Sequence, residues 1–466
     1  MRTAPAALVA LAVLTATAGC STTPAARPSG LPSPGSAATP SASAASSQGS
    51  PASAGWYQYH GNGARTGTVA GLPAAGRLAV AWRAALGGAV YGQPLVVGTT
   101  VIAATEQDEI YGLDLATGAV RWRTGVGAAE PLSEQPCGNL NPLGITSTGV
   151  YDQQNGLAYF VAQSGTTEHV LVGLNPASGV VEVREDVPSP DHQPFYDQQR
   201  GALALEDGYV YVVFGGHYGD CGPYTGSVVG MPASGHGTVY SYMVPTAKQG
   251  GIWAAGGPVI GPDGTIYVST GNGAPTQGPY DGSDSVTALT PQLTEIGIFA
   301  PTDWRTLSAD DLDLGSMSPA LLPDGQILQV GKSATGYLLD TAHLGGVGGQ
   351  VAAGPVCAAF GGAAVSGSVV YVPCLTGLAA VNTAGSAVKV VWRGPADVWG
   401  SPVVGGGAVW VASPDSGVLD ELSPATGQVS YQLRVASALP HFVSPTLSGS
   451  LVLVGTLTGI TAVSGG

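Results

Sequence analysis

Side chains able to do covalent or acid–base chemistry are sparse in this chain, and most of them lack the neighbours that such chemistry requires. The seven histidines, His60, His169, His192, His217, His236, His343 and His441, show neither HExxH spacing nor a cluster with other metal ligands. No G-x-S-x-G elbow is present. The glycine-rich stretches GNGAPTQG and GGVGGQ open no helix, so they read as loops and not as phosphate cradles. In DDLDL, Asp310, Asp311 and Asp313 read either as a solvated acidic loop or as a structural cation site. The thiols say more. Five cysteines are present, and setting aside Cys20 in the N-terminal leader leaves an even number, which in an exported chain predicts two disulfides. Cys357 and Cys374 flank one hairpin, AAFGGAAVSGSVVYVP, and can face each other across two strands. Cys137 and Cys221 then remain to tie together the loops of neighbouring units; the alternative is buried free thiols.

The elements that must position these groups are set by a repeat. Short apolar runs end in a common turn at IYGLDLATG, LVGLNPASG, VVGMPASG, VTALTPQLT, GYLLDTAHL, LAAVNTAG, LDELSPATG and ITAVSGG, roughly 40 to 60 residues apart, a spacing typical of propeller blades. Asp114, Asn175, Thr290 or Ser423 can bond forward into the turn, and Gly118, Gly179, Gly385 or Gly427 supplies a positive φ. Ahead of most copies lies a run such as GTTVIAA, DGYVYVVF or SGSLVLVG, behind most a run such as AVRWRTGV or QVSYQLRV, and before each unit a further strand such as GGPVIG or GSPVVG. Each unit is thus a four-stranded antiparallel sheet. The last lacks a fourth strand, and RLAVAWRAAL, residues 77–86, has no unit of its own. Pairing the two closes an all-β, eight-bladed propeller. A seven-bladed ring would require the irregular copy at Thr294 or Leu344 to be an insertion.

Composition agrees: 72 glycines and 10% charged residues suit many short strands and turns. The net charge of −15, with basic residues scattered singly, argues against nucleic acid and anionic lipid as partners. MRTAPAALVALAVLTATAGC reads as a secretory signal, and Thr17 to Cys20 resembles a lipobox, with Thr17 where Leu is usual. On that reading Cys20 carries lipid and anchors the protein outside the cytoplasm; an ordinary signal peptide is the alternative. Residues 21–54, nearly all Ser, Ala, Pro, Thr and Gly, read as a disordered tether, with the propeller over 55–466.

With IYGLDLATGAVRW as its best copy, the repeat resembles the PQQ-type propeller repeat of quinoprotein dehydrogenases and of the lipoprotein of the outer-membrane assembly machinery, and WYQYHGNGARTG resembles the segment that introduces such propellers. The resemblance implies a set of site residues. IWAAGGPVIGPDGTIYVSTGN is similar to the segment that places a Trp beneath the quinone and an Asn on calcium, here Trp253 and Asn272. GGHYGDCGPYTG lies where a glutamate-bearing turn is expected, with Asp220 as the acid. DDLDLGSMSPAL lies where the base aspartate is expected, among Asp310 and Asp313, and GKSATGYLLD offers Lys332 as the quinone-contacting cation. Such a set would bind PQQ and Ca²⁺ and oxidise an alcohol or sugar. Departures are evident: Asp replaces Glu, Tyr224 replaces the turn's Arg, and no adjacent cysteine pair or CxxCH haem site exists. Each residue also has a structural explanation, Asp220 as a loop cap, Trp253 as inter-blade packing, Asn272 as an Asx turn and Lys332 as a strand-end charge.

The expected function is therefore a non-enzymatic, lipid-anchored binding or scaffold propeller, monomeric, taking an envelope protein or a small ligand. The alternatives are a divergent PQQ- and Ca²⁺-dependent dehydrogenase and an envelope protein assembly factor.

Overall fold

The turn that ends each repeat behaves as its residues dictate. Asp114 Oδ1 accepts the N–H groups of Ala116 and Thr117, and Gly118 sits at φ +71°, a conformation that costs an L-residue roughly 1–2 kcal/mol. Gly179, Gly385 and Gly427 repeat it at φ +70° to +71°. The irregular TPQLT copy keeps the geometry without glycine, Leu293 taking φ +60°. Such turns leave consecutive strands antiparallel and adjacent, so each repeat folds into its own meander.

In the computed structural model, which describes residues 55–70 and 76–465, eight such sheets follow one another. Blades 1 to 7 span residues 95–125, 150–186, 204–243, 259–300, 320–355, 364–393 and 403–434. Blade 8 combines residues 446–465 with Leu78–Ala85 as its outermost strand. The leader, Cys20 and the 21–54 tether lie outside the described residues. The second strands are buried along their length, as in Thr100–Thr105 and Ala408–Ser413, whereas outer strands such as Val181–Asp186 alternate, as expected where only one face is covered. The irregular copy near Leu344 carries an extra strand, Gly346–Val347, which pairs in parallel with Phe299–Ala300 on the edge of blade 4. Both irregular copies are therefore blades, and the count is eight. One short helix, Trp304–Ala309, interrupts the β structure between blades 4 and 5.

The ring closes as the unpaired strand predicted. Leu78 to Ala85 pairs antiparallel with Gly465 to Gly459, with one bulge between Val80 and Trp82. Both disulfides also form as expected, Cys137–Cys221 across 84 residues and Cys357–Cys374 across 17.

The introductory segment is a strap across the ring. Trp56 exchanges backbone hydrogen bonds with Val96 of blade 1, Tyr57 O accepts from Tyr151 of blade 2, and Gly63 O from Ile260 of blade 4. Thr66 O and Gly67 O accept from Val365 of blade 6 and Val404 of blade 7. The buried Arg65 reaches Leu203 O at 2.7 Å and Pro258 O at 3.1 Å. His60 Nε2 lies 3.0 Å from Ser444 Oγ on the connection entering blade 8. Ala64 packs against the cluster containing Leu321 and Ile327 of blade 5. A single short segment can touch non-adjacent blades only near the axis, so the strap fills the channel.

A second device joins neighbouring blades. Indoles on outer strands reach the turn of the next blade: Trp82 Nε1 donates to Leu115 O, Trp122 to Pro176 O and Trp392 to Pro424 O, at 2.9–3.0 Å. The ring lies flat on the turn glycine, so a Cβ on Gly118, Gly179 or Gly427 would stand 2.4 Å from the indole. Blade 5 presents no Trp to blade 6, and a Cβ on Gly385 meets nothing within 4 Å. Gly427→Ala and Gly385→Ala therefore share the φ penalty and differ in contact. We expect Gly427→Ala to cost ~1–3 kcal/mol more, measured by urea unfolding; equal losses would show that the indole contact contributes nothing.

Candidate functional site

Within each meander the hairpin between strands 2 and 3 and the connection to the next blade emerge on the same face. Every residue that the repeat resemblance offers for quinone or calcium, and Asp311 with them, lies in one of these loops: Asp220 in the blade 3 hairpin, Trp253 between blades 3 and 4, Asn272 in the blade 4 hairpin, Asp310, Asp311 and Asp313 between blades 4 and 5, and Lys332 in the blade 5 hairpin.

Four of them meet. Asp313, 3% exposed, accepts from Lys332 Nζ at 2.6 Å through Oδ2 and from the Asn272 backbone N–H at 2.6 Å through Oδ1. Lys332 Nζ also reaches Asp311 Oδ1 at 2.8 Å and lies 5.8 Å from the Trp253 ring centroid. The strand end at Gly271 allows this approach, since a Cβ there would stand 2.4 Å from Asp313 Oδ1 and 3.2 Å from Trp253 Nε1. Burial raises the Asp313 carboxyl above its usual range and Lys332 draws it back. Burial opposes the charge on Lys332, but Asp313 and Asp311 hold its ammonium above the ordinary value. Asp220 is exposed at φ +52° and accepts from Tyr224 Oη at 2.6 Å. Burial and then the neighbouring Asp220, Asp313 and Asp311 push the Tyr224 phenol well up, so Asp220 lies on the edge of the same acidic region. Asp310 is exposed at the C-cap of the short helix, its N–H bonded to Thr306 O, and stands outside this contact set.

The arrangement fits one half of the group that the repeat resemblance implies. Trp253 with Lys332 above its ring is a surface on which a planar anion could lie. The calcium half does not fit. Both Asp313 oxygens are occupied by protein donors, Asp220 is bonded to Tyr224, and among the described residues no three His, Cys, Asp or Glu side chains come together as metal ligands. The Lys332 ammonium supplies the compensating charge that a divalent ion would otherwise bring.

Sequence reading missed the groups around this cluster. Asp284, fully buried, accepts from Ser308 Oγ at 2.7 Å and from Leu314 N–H at 2.9 Å, pinning the 308–314 loop; burial raises it to about 7. Trp253 lies 6.2 Å from Phe360 and 6.3 Å from Phe442, which stack on each other at 6.0 Å. Arg200 covers Phe442 at 5.3 Å and Tyr91 at 6.0 Å. These side chains come from connections entering blades 1, 3, 4, 6 and 8, and rings from non-adjacent blades meet only at the axis. An aromatic lid therefore covers the loop-face end of the channel. The available signal was positional, because each residue lies shortly before an innermost strand.

Solved structures share this architecture. A quinohemoprotein alcohol dehydrogenase of Pseudomonas putida superposes with TM-score 0.69 at 14% identity, over 89% of this chain and 80% of that one. A europium-containing methanol dehydrogenase gives 0.68 at 17%, over 88% and 98%. BamB of Moraxella catarrhalis gives 0.56 at 14%, over 83% and 97%. No curated protein matches the chain by sequence. The family described as outer membrane protein assembly factor BamB matches residues 35–274, just over half of the 466 residues. With eight PQQ-type blades closed into a ring and that family match across its first half, the chain belongs to the PQQ-type propeller family.

Proposed function

We propose that this propeller is a non-enzymatic binding or scaffold protein of the cell envelope, held outside the cytoplasm by lipid on Cys20 and acting as a monomer through its loop face. The observation that carries this reading is the closed ion pair of Asp313 with Lys332: the acid and the cation that quinone chemistry would use neutralise each other. The axis is filled by the strap at one end and by Trp253, Phe360 and Phe442 at the other, which leaves the loop face for recognition. Aromatic groups are common anchors in protein interfaces, and Tyr218, 69% exposed, extends that surface beside the Cys137–Cys221 bridge. An envelope protein suits such a face, and assembly of other envelope proteins is a narrower form of the same role.

A divergent PQQ-dependent dehydrogenase is the second reading, favoured by the meeting of Trp253, Asn272, Asp313 and Lys332. Calorimetric titration of the purified full chain with PQQ and Ca²⁺ separates the two. The scaffold reading expects no saturable binding in the micromolar range; micromolar binding with dye reduction on alcohols or sugars would overturn it.

The ion pair makes a further prediction. A buried acid whose folded pKa is raised loses stabilisation as pH rises, and Lys332→Met leaves Asp313 buried without its cation. The variant should be destabilised by about 3 kcal/mol at pH 8, and the deficit should shrink towards pH 5 as Asp313 takes up a proton. Thermal melts at both pH values measure this; a pH-independent deficit would mean that Lys332 does not act as the counter-ion.

A further inference from the structure

Where blade 8 meets blade 1, the loop face opens into a cavity of about 330 Å³, within the size range of small-molecule sites. Its walls come from the connection carrying Tyr91, the blade 1 hairpin with Glu106 and Gln107, the connection to blade 2 with Asn139 and Asn141, and Leu457 of the blade 8 hairpin. Among the described residues, Glu106 is the only charged side chain lining it. It is 3% exposed. Its Oε2 accepts from Gly144 N–H at 2.8 Å and Thr146 Oγ at 3.1 Å, while the buried Oε1 has no hydrogen-bond partner.

Two further acids belong to the neighbouring loops, Asp108 in the same hairpin as Glu106 and Glu130 in the connection to blade 2. Asp108 and Glu130 are fully buried, and both oxygens of each are without a partner. A Cβ on Gly144 would stand 2.9 Å from Asp108 Oδ1, so the backbone that binds Glu106 also packs on Asp108. The ion pairs of the described residues involve none of the three. The cations that act on them are bonded to other groups: Arg184 Nη1 donates to Val126 O at 2.8 Å, and Arg200, whose charge faces Glu106 without an ion pair, lies over Phe442 and Tyr91. Burial pushes Glu106 up to about 7, Asp108 to about 8 and Glu130 to about 7.

Burying a carboxyl oxygen without a donor is costly, and because Glu106 lines the cavity, rotation of its side chain would bring Oε1 to a ligand there. The acids do not converge as metal ligands, since no such group of three forms among the described residues. A neutral sugar would meet the carboxylate only with uncharged donors, whereas an ammonium forms the stronger charge-assisted bond. The chain's net charge of −15 also favours the approach of a cation.

We propose that this cavity binds a small organic amine in its ammonium form, with Glu106 Oε1 accepting its N–H and the carboxamides of Gln107, Asn139 and Asn141 completing the polar contacts. The site is independent of the occupant at Trp253. The groups facing Glu106 are Tyr91, Asp108, Arg200, the Gly144 N–H and the Thr146 hydroxyl. Ammonium binding displaces the Glu106 proton, so affinity should tighten about tenfold between pH 6 and pH 8.

Calorimetry on the full chain with n-butylammonium, putrescine and glucose tests this. We expect one saturable site for the amines and none for glucose. Glu106→Gln should abolish amine binding, and Gln107→Arg, at an exposed rim position, should weaken it at least tenfold without changing the melting temperature. If Glu106→Gln does not fold, Gln107→Arg decides. Absence of amine binding at every pH, equal binding of glucose, or wild-type affinity in the folded variants would overturn the proposal.

Discussion

The seam between Leu78–Ala85 and Gly459–Gly465 is the constraint on which the radial arrangement rests. Each blade buries its faces against its two neighbours, so an open ring would leave two blades half-covered and two strand edges unpaired. The closing strands lie at opposite ends of the described chain, which gives the contact the longest loop to close and places it among the slowest to form. The strap complements the seam by a different route. It crosses the axis and bonds inner strands directly, so blades that never touch are held to a common centre by the carbonyls around Arg65 and the hydroxyl beside His60.

The location of the candidate chemistry follows from this geometry. The axis is filled by Arg65, His60 and Tyr59 at the strap and by Trp253, Phe360 and Phe442 at the loop face. Loops leaving the inner strands are therefore the parts free to differ from blade to blade, as is general for functional loops on a rigid scaffold. Lys332, Asp313 and Asn272 come from such loops on two adjacent blades. Their close contacts depend on the glycine at 271, where no side chain intervenes between the acid and the indole.

Much of the fold was legible because its signals are local. A turn glycine, an Asx side chain and an apolar run of fixed length recur within each repeat, and the surplus strand at residues 77–86 had only one place to go. The cysteine pairs were legible for the same reason, one through a hairpin and the other by elimination. The repeat resemblance also brought Trp253, Asn272, Asp313 and Lys332 to one place. Their mutual relation was not legible: assigned separate roles, Lys332 and Asp313 instead pair with each other. Glu106 and Asp108 sit in an ordinary-looking hairpin, TEQDE, and nothing in those letters reports that both carboxyls are buried. Burial of that kind depends on the next connection, residues 141–146, packing over them.

The indole-on-glycine contacts are unevenly distributed around the ring. They join blades 8 to 1, 1 to 2 and 6 to 7, while blades 2 to 3 and 3 to 4 are joined by tyrosine hydroxyls, Tyr159 Oη donating to Ala233 O and Tyr211 Oη to Pro291 O. The disulfides have different reach, Cys137–Cys221 running from the connection before blade 2 to the blade 3 hairpin and Cys357–Cys374 closing the entry to blade 6. The first spans two blades and reinforces a junction that Tyr159 already bonds, whereas the second lies within blade 6. In a reducing medium the ring would therefore lose its covalent tie between the loops around blades 2 and 3 and hold that junction through the buried tyrosine.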